Sequence, residues 1–297
     1  MLINIPHNFP ALDLLAQEQV DVSDFVTTDT NIKADVTIAV LNLMPLKITT
    51  EADILRVLSN SPLNIHIDFV NIETHTPKNT PVAHLQKYYH PFSAIKHKPY
   101  DGLIVTGAPV ELMPFEEVNY WQELSGVFDW ARTHVRSTLY ICWASQAALY
   151  HFYGVPKYEL SKKLFGVYKH TVNYPMHPLF RGFDDCFYVP HSRHTTLYRE
   201  DIERHAKELA VLSESDQAGV YLIGAKNYRE FYITGHSEYA AQALHNEYIR
   251  DMKKKLTTVG VPYNYYKDNN PNQPPKVQWR SHAHLLFTNW LHQFAVP

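Results

Sequence analysis

Cysteine is scarce in this chain of 297 residues, with Cys142 and Cys186 the only two. Two thiols cannot build a disulfide framework, and in a reducing compartment no pairing between them is expected. Long apolar runs are also missing. None approaches the ~20 residues needed to cross a bilayer, and Met1-Leu2-Ile3-Asn4-Ile5-Pro6 lacks the basic and apolar regions of a signal peptide. A soluble, cytosolic protein with no membrane partner is expected. Charge of one sign is not in excess either: 27 Lys and Arg stand against 30 Asp and Glu, a net charge of −3 with no basic block. Nucleic acid is therefore not expected as a partner. Carboxylates do not cluster with His191, His194, His282 or His284, so no metal site is expected.

What the chain does have is apolar sequence in short blocks, at 45% of residues, enough for an extended core. Residues 1–34 read as an arm, with Pro6, Pro10, a short apolar helix around Leu12–Leu15 and an Asp/Thr-rich linker. Residues 35–297 read as a single α/β domain. Val36–Leu43 is a continuous apolar run of the kind buried on both faces of a parallel sheet. A helix with threonine capping follows over Thr49–Leu58, then strands at Ile65–Val70 and Gly102–Thr106, a helix at about Glu116–His134, and a strand ending at Cys142. This alternation predicts a doubly wound, flavodoxin-like, mostly parallel sheet with right-handed crossovers. Ligands in such sheets collect at the carboxyl ends of the strands, where Gly107 and Cys142 fall. After Pro156 come shorter strands at residues 165–168, 187–189, 209–212, 220–223 and 230–234. Helices at about 240–255 and 281–294 form carboxyl-terminal additions.

Two features carry chemistry. Ser137-Thr138-Leu139-Tyr140-Ile141 is a strand that stops at Cys142, and a helix-forming segment follows, ending before Gly154 and Pro156. A thiol exposed at such a corner is placed for nucleophilic work, because first-turn amides and the helix dipole favour a thiolate. His236 and Glu238 lie two residues apart at another strand end, which puts both on one face. A glutamate holding one ring nitrogen leaves the other free to act as a base, giving a Cys-His-Glu arrangement. With 18 histidines in the chain, a bare His-x-Glu is weak evidence by itself.

The order of these features, with Cys142 after Thr-Leu-Tyr-Ile and Gly235-His236-Ser237-Glu238-Tyr239 about a hundred residues later, resembles class I glutamine amidotransferase-like proteins. Within that superfamily the chain resembles the homoserine O-acyltransferases of methionine biosynthesis. The motifs run nearly end to end: Leu41-Asn42-Leu43-Met44-Pro45, Gly107-Ala108-Pro109-Val110-Glu111, Pro114-Phe115-Glu116-Glu117-Val118, Ile141-Cys142-Trp143, Tyr153-Gly154-Val155-Pro156-Lys157, Pro190-His191-Ser192-Arg193-His194-Thr195 and Trp279-Arg280-Ser281-His282-Ala283. The resemblance implies that Cys142 takes the acyl group from acyl-CoA, that His236 is the general base and Glu238 its partner, and that Lys163, Ser192 and Arg250 hold the amino acid. It implies a homodimer and no tightly bound cofactor. Trp143 offers a backbone amide to the oxyanion at the helix start.

Glu111 bears on the acyl donor. The family carries a glycine there where succinyl-CoA is used and a glutamate where acetyl-CoA is used. A glutamate would fill the pocket and repel the distal carboxylate of a succinyl group, so acetyl-CoA is expected. Several residues depart from the family pattern: Ala144 and Ser145 replace Gly-Ala, Ser237 replaces proline, Leu46 and Thr49 break a Lys-Lys-Ile-Glu run, and Ser59 replaces glycine. They leave L-serine, one methylene shorter than L-homoserine, as an alternative acceptor, which would serve cysteine rather than methionine supply. Succinyl transfer and amide hydrolysis are the remaining alternatives.

Overall fold

The computed structural model describes residues 2–6, 8–18, 26–27, 33–75, 77, 79–254 and 260–296. Most of the Asp/Thr-rich linker and the expected end of a helix at Lys255 lie outside these residues.

One sheet dominates. Its strands are β1 (Ile3–Asn4), β2 (Val26–Thr27), β3 (Val36–Leu41), β4 (Ile65–Asn71), β5 (Tyr89–Pro91), β6 (Tyr100–Val105), β7 (Val135–Ile141), β8 (Tyr158–Val172), β9 (Cys186–Thr196), β10 (Leu209–Ser215), β11 (Gly219–Ala225) and β12 (Glu230–Ile233). They are ordered β2-β1-β4-β3-β6-β7-β12-β11-β10-β8-β9, with β5 paired to β4 off this path. From β2 to β12 every pairing is parallel, and from β12 to β9 every pairing is antiparallel.

The helices are α1 (Ala11–Gln17), α2 (Lys47–Leu58), α3 (Val82–Tyr88), α4 (Phe92–Ile95), α5 (Trp121–His134), α6 (Trp143–Tyr153), α7 (Arg199–His205), α8 (Ala243–Lys253) and α9 (Arg280–Trp290). β3 explains the layering. Val36, Ile38 and Val40 face one core with α1, α2 and α9, while Ala39 and Leu41 face the other with α5, α6 and α7. A strand covered on both sides has no polar face, which is why it reads as an unbroken apolar run. A third cluster, with Phe165, Val167, Leu244, Tyr265, Tyr266 and Trp279, seats α8 against β8.

The doubly wound core is as expected, and four details differ. The α2 helix starts at Lys47, and its cap residue, Leu46, makes no side-chain capping bond. Thr50 lies inside the helix, its hydroxyl donating to the Leu46 carbonyl. The helix expected from Glu116 is a 3-10 turn at Phe115–Glu117 followed by α5 from Trp121. Most important, the short strands expected after Pro156 include a long hairpin, with β8 spanning 15 residues and β9 spanning 11. The polar beginning of β8 hides its strand character, because the residues around Glu159, Lys162 and Lys163 are not buried on alternate sides of a core.

Candidate active site

Cys142 follows the last residue of β7 and caps α6, with φ 53° and ψ −118°. That region is strained for a residue with a Cβ, and such strain persists only where the surroundings impose it. Here the Cys142 amide donates to the Ile233 carbonyl at 2.6 Å, and the Cys142 carbonyl accepts from the Ser145 hydroxyl at 2.6 Å and the Ser145 amide at 3.0 Å. Ser145, one of the departures from the family pattern, thus braces the elbow. Gly107 sits alongside: a Cβ there would lie 3.2 Å from the Cys142 Cβ and 3.6 Å from the Trp143 nitrogen. The Trp143 amide, in the first helical turn, has no intrahelical acceptor. The expectation of an exposed thiol is not met, since Cys142 is only 4% exposed. It is nonetheless a sharp strand-to-helix turn of nucleophile-elbow type rather than the end of an inert core strand.

His236 and Glu238 lie just beyond β12, in a turn rather than on the strand, so strand alternation does not bring them together. The turn does. The His236 amide donates to the Pro190 carbonyl at 2.8 Å, and Nδ1 of His236 meets Oε1 of Glu238 at 2.7 Å. Tyr239 stacks on the imidazole at 4.1 Å. Burial alone would lower the His236 pKa, but the charges of Cys142 and Glu238 outweigh it and raise the pKa well above the usual histidine range. With Glu238 on Nδ1, the remaining nitrogen faces the thiol.

The segment is clamped from α2. Arg56 donates to the Glu238 carbonyl at 3.0 Å and to Asp53 at 2.7 Å, and it grips Glu18 through two bonds of 2.6 and 2.7 Å. Asp53 in turn accepts from the Ala240 amide at 3.2 Å. Ser237, the second departure, shares a 2.6 Å hydrogen bond with the buried Tyr221 hydroxyl.

Lys163, Ser192 and Arg250 come together on β8, β9 and α8, around a residue the sequence reading did not single out. Glu247 accepts from Lys163 Nζ at 2.6 Å, from the Ser192 hydroxyl at 2.8 Å and from Arg250 at 3.2 Å. Asp251 adds bonds to Lys163 at 3.0 Å and to Arg250 at 2.9 Å. Lys163 sits where the β8–β9 ladder loses register between Glu159 and Leu164. Such an irregularity re-aims a side chain, and the Lys163 ammonium is 3% exposed. The two cations are therefore matched by two carboxylates. The signal for Glu247 was available in its (i, i+3) spacing from Arg250 on one helix face. Arg56 has the same spacing from Asp53, but its bonds to Glu18 and to the Glu238 carbonyl, which clamp the turn, reach far along the sequence. Glu111 is fixed to β9, its Oε2 accepting from the His194 amide at 2.5 Å.

The comparisons with known proteins agree in family. The family model described as "HTS: Homoserine O-succinyltransferase" matches residues 2–296. A protein of Phocaeicola vulgatus named homoserine O-acetyltransferase is 55% identical over 294 residues, spanning 99% of this chain and 96% of its own. One of Desulfitobacterium hafniense with the same name is 50% identical over the same length, spanning 99% of this chain and 95% of its own. Among solved structures, a glutamine amidotransferase from Thermotoga maritima aligns with a TM-score of 0.56 at 12% identity, spanning 89% of this chain and all of its own. That likeness concerns the fold alone.

Proposed function

The chain belongs to the homoserine O-succinyltransferase family, and from that premise we propose that it transfers an acetyl group from acetyl-CoA to the hydroxyl of L-homoserine. The observation that carries the reading is the strained elbow at Cys142 together with the buried His236–Glu238 pair at the neighbouring strand end. The family's description and the relatives' names differ in the acyl group, succinyl against acetyl. Glu111 favours acetyl, because its carboxylate, fixed on the His194 amide, fills the place and carries the charge that would oppose a second carboxylate.

The chemistry is a two-step exchange. Cys142 gives its proton to His236 and attacks the thioester carbonyl, and the backbone amide of Trp143 faces the developing oxyanion. The tetrahedral adduct collapses, the CoA thiolate leaves with the proton held by His236, and an acetyl thioester remains on Cys142. The homoserine hydroxyl then loses its proton to the neutral His236 as its oxygen attacks the same carbonyl. Collapse releases O-acetylhomoserine and returns Cys142 and His236 to their starting state. Glu238, on Nδ1, fixes the tautomer throughout. A thioester is the more activated acyl donor, so the second transfer runs downhill. No step calls for a metal or a bound cofactor.

The acceptor is an amino acid, which carries one positive and one negative group. The cluster of Lys163, Arg250, Glu247 and Asp251 offers both signs. Arg250, half exposed, presents its fork to the α-carboxylate with Lys163 and Ser192 beside it, and Glu247 takes the α-ammonium. Water, the acceptor in amide hydrolysis, would leave this cluster without a purpose. CoA release from acetyl-CoA with homoserine, with serine and without acceptor tests the reading. Turnover with homoserine alone is expected. Turnover with serine would assign the changes at Ala144, Ser145 and Ser237 to the acceptor pocket, and acceptor-independent release would replace transfer by hydrolysis.

A further inference from the structure

Arg193, in β9, is 1% exposed and has no carboxylate within salt-bridge distance among the described residues. Its donors go elsewhere: to the Thr195 carbonyl at 2.6 Å, to the Ala218 carbonyl at 2.5 Å and, through Nε, to Nδ1 of His191 at 3.5 Å. A buried charge without a counterion costs stability unless something else requires it.

The surroundings say what requires it. The Thr195 carbonyl that holds the guanidinium also accepts from the Gln146 side chain at 3.5 Å, and the Thr195 hydroxyl donates to Oε1 of Gln146 at 2.7 Å. Gln146 stands in the first turn of α6, the helix capped by Cys142. The guanidinium is thus pinned against the nucleophile's own turn.

The other side is held by a chain of hydrogen bonds with one direction. Arg193 can only donate, so Nδ1 of His191 accepts and carries no proton. Neutral His191 then holds its proton on Nε2 and donates to Nε2 of His170 at 3.1 Å, and His170 donates from Nδ1 to the Tyr168 carbonyl at 3.0 Å. Burial pushes both histidines well below their usual range, His170 to about 3, so neither ring adds a competing charge. His191 also packs on Gly235, where a Cβ would lie 2.9 Å from its ring, directly before His236. The chain therefore packs against the residue that precedes the base.

We infer that Arg193 is a positioning residue whose fixed charge, without a salt-bridge partner among the described residues, serves as counterion to the Cys142 thiolate, and that the neutral His191–His170 pair exists to hold it there without discharging it. The inference rests on Cys142 being the nucleophile. Arg193 remains cationic: burial brings it down only to about 10, opposed by the charges of Cys142, Glu111 and Tyr168. The charged or titratable groups facing Cys142 are His236 and Tyr239 from the turn after β12 and Arg193 from β9, and those facing Arg193 are Glu111, Tyr168, His191 and His170. Arg193 is thus the only permanent cation in the set.

The test is the pH profile of Cys142 alkylation by iodoacetamide, read on the Cys142 peptide by mass spectrometry in a Cys186→Ser background. Arg193→Gln is expected to raise the midpoint by about one pH unit or more, with Arg193→Lys close to the parent because it keeps the charge. A folded Arg193→Gln protein with an unmoved midpoint would overturn the inference, since a merely structural arginine would lower the melting temperature and leave the thiol alone. Should Arg193→Gln fail to fold, Arg193→Met reads the same loss of charge: a midpoint raised above that of Arg193→Lys supports the role, and one equal to it contradicts it. Alkylation reports the thiol itself, so this result stands apart from the nucleophile assignment, which turnover by Cys142→Ala would overturn.

Discussion

The carboxyl ends of the parallel strands and the β8–β9 hairpin with α8 build two halves of one site by different means. At the parallel strands, geometry is set by the main chain. Cys142 is held by bonds to its own backbone and to Ile233, and His236 by the Pro190 carbonyl. In the hairpin half, geometry is set by charged side chains, with Glu247 accepting from three residues on three elements. The first half rests on a fold that a 12%-identical amidotransferase also has, and the second holds the residues proposed to bind the amino acid. A fold persists through wide sequence change, whereas a network of charged side chains depends on each of its members.

The comparison is broken most severely at the elbow. Cys142→Ala should lower kcat by about 10⁴-fold or more while the protein stays folded, because the proposed mechanism carries the acyl group on that side chain. Circular dichroism alongside CoA release checks both parts. Glu238→Gln should cost about 10²- to 10⁴-fold in kcat with little change in KM, since an amide no longer stabilises the imidazolium or fixes its tautomer.

The hairpin half should respond in KM instead. Glu247→Gln is expected to raise KM for homoserine about 10- to 100-fold while the half-reaction with acetyl-CoA proceeds at its former rate, which rapid-quench measurement of the first CoA released would show. An equal loss in the half-reaction would mean the two halves are not separable. Glu111→Gly should shift preference toward succinyl-CoA by about 10- to 100-fold in relative kcat/KM, leaving the amino-acid KM unchanged.

Far from the site, Asp68 gives the smallest effect. Burial works against its charge, but hydrogen bonds from His66 and Tyr100, the latter at 2.6 Å, outweigh it and bring the carboxyl down to about 2. A depressed carboxylate stabilises the fold above its unfolded value and loses that contribution as pH falls toward about 2. Tyr100→Phe should therefore cost about 1 kcal/mol at pH 7 and progressively less in acid, measured by urea unfolding across that range.

Much of the first half was legible in the sequence, because its signals are local. An apolar strand ending at Cys142, a helix ending before Gly154 and the spacing of His236 and Glu238 each carry their meaning in a few adjacent residues. Even there the reasons differed in part, since Cys142 is buried and a turn, not strand alternation, joins His236 to Glu238. The second half was legible mainly through resemblance. Lys163, Ser192 and Arg250 are separated by tens of residues, and only the hairpin register and the seating of α8 bring them to one carboxylate. Glu247, Arg56 and Arg193 each have a partner close by in sequence, but the bonds that place them, between Glu247 and Lys163 or Ser192, between Arg56 and Glu18 or Glu238, and between Arg193 and Ala218, span tens of residues or more.

The central claim is that the acyl group rests on Cys142 between donor and acceptor. Mixing the protein with acetyl-CoA in the absence of acceptor and weighing the Cys142 peptide tests it directly. An added acetyl group, cleared on addition of homoserine with formation of O-acetylhomoserine, is the predicted result. A Cys142 peptide that stays unmodified while CoA is released only when both substrates are present would contradict it, and would place the transfer in a single direct step.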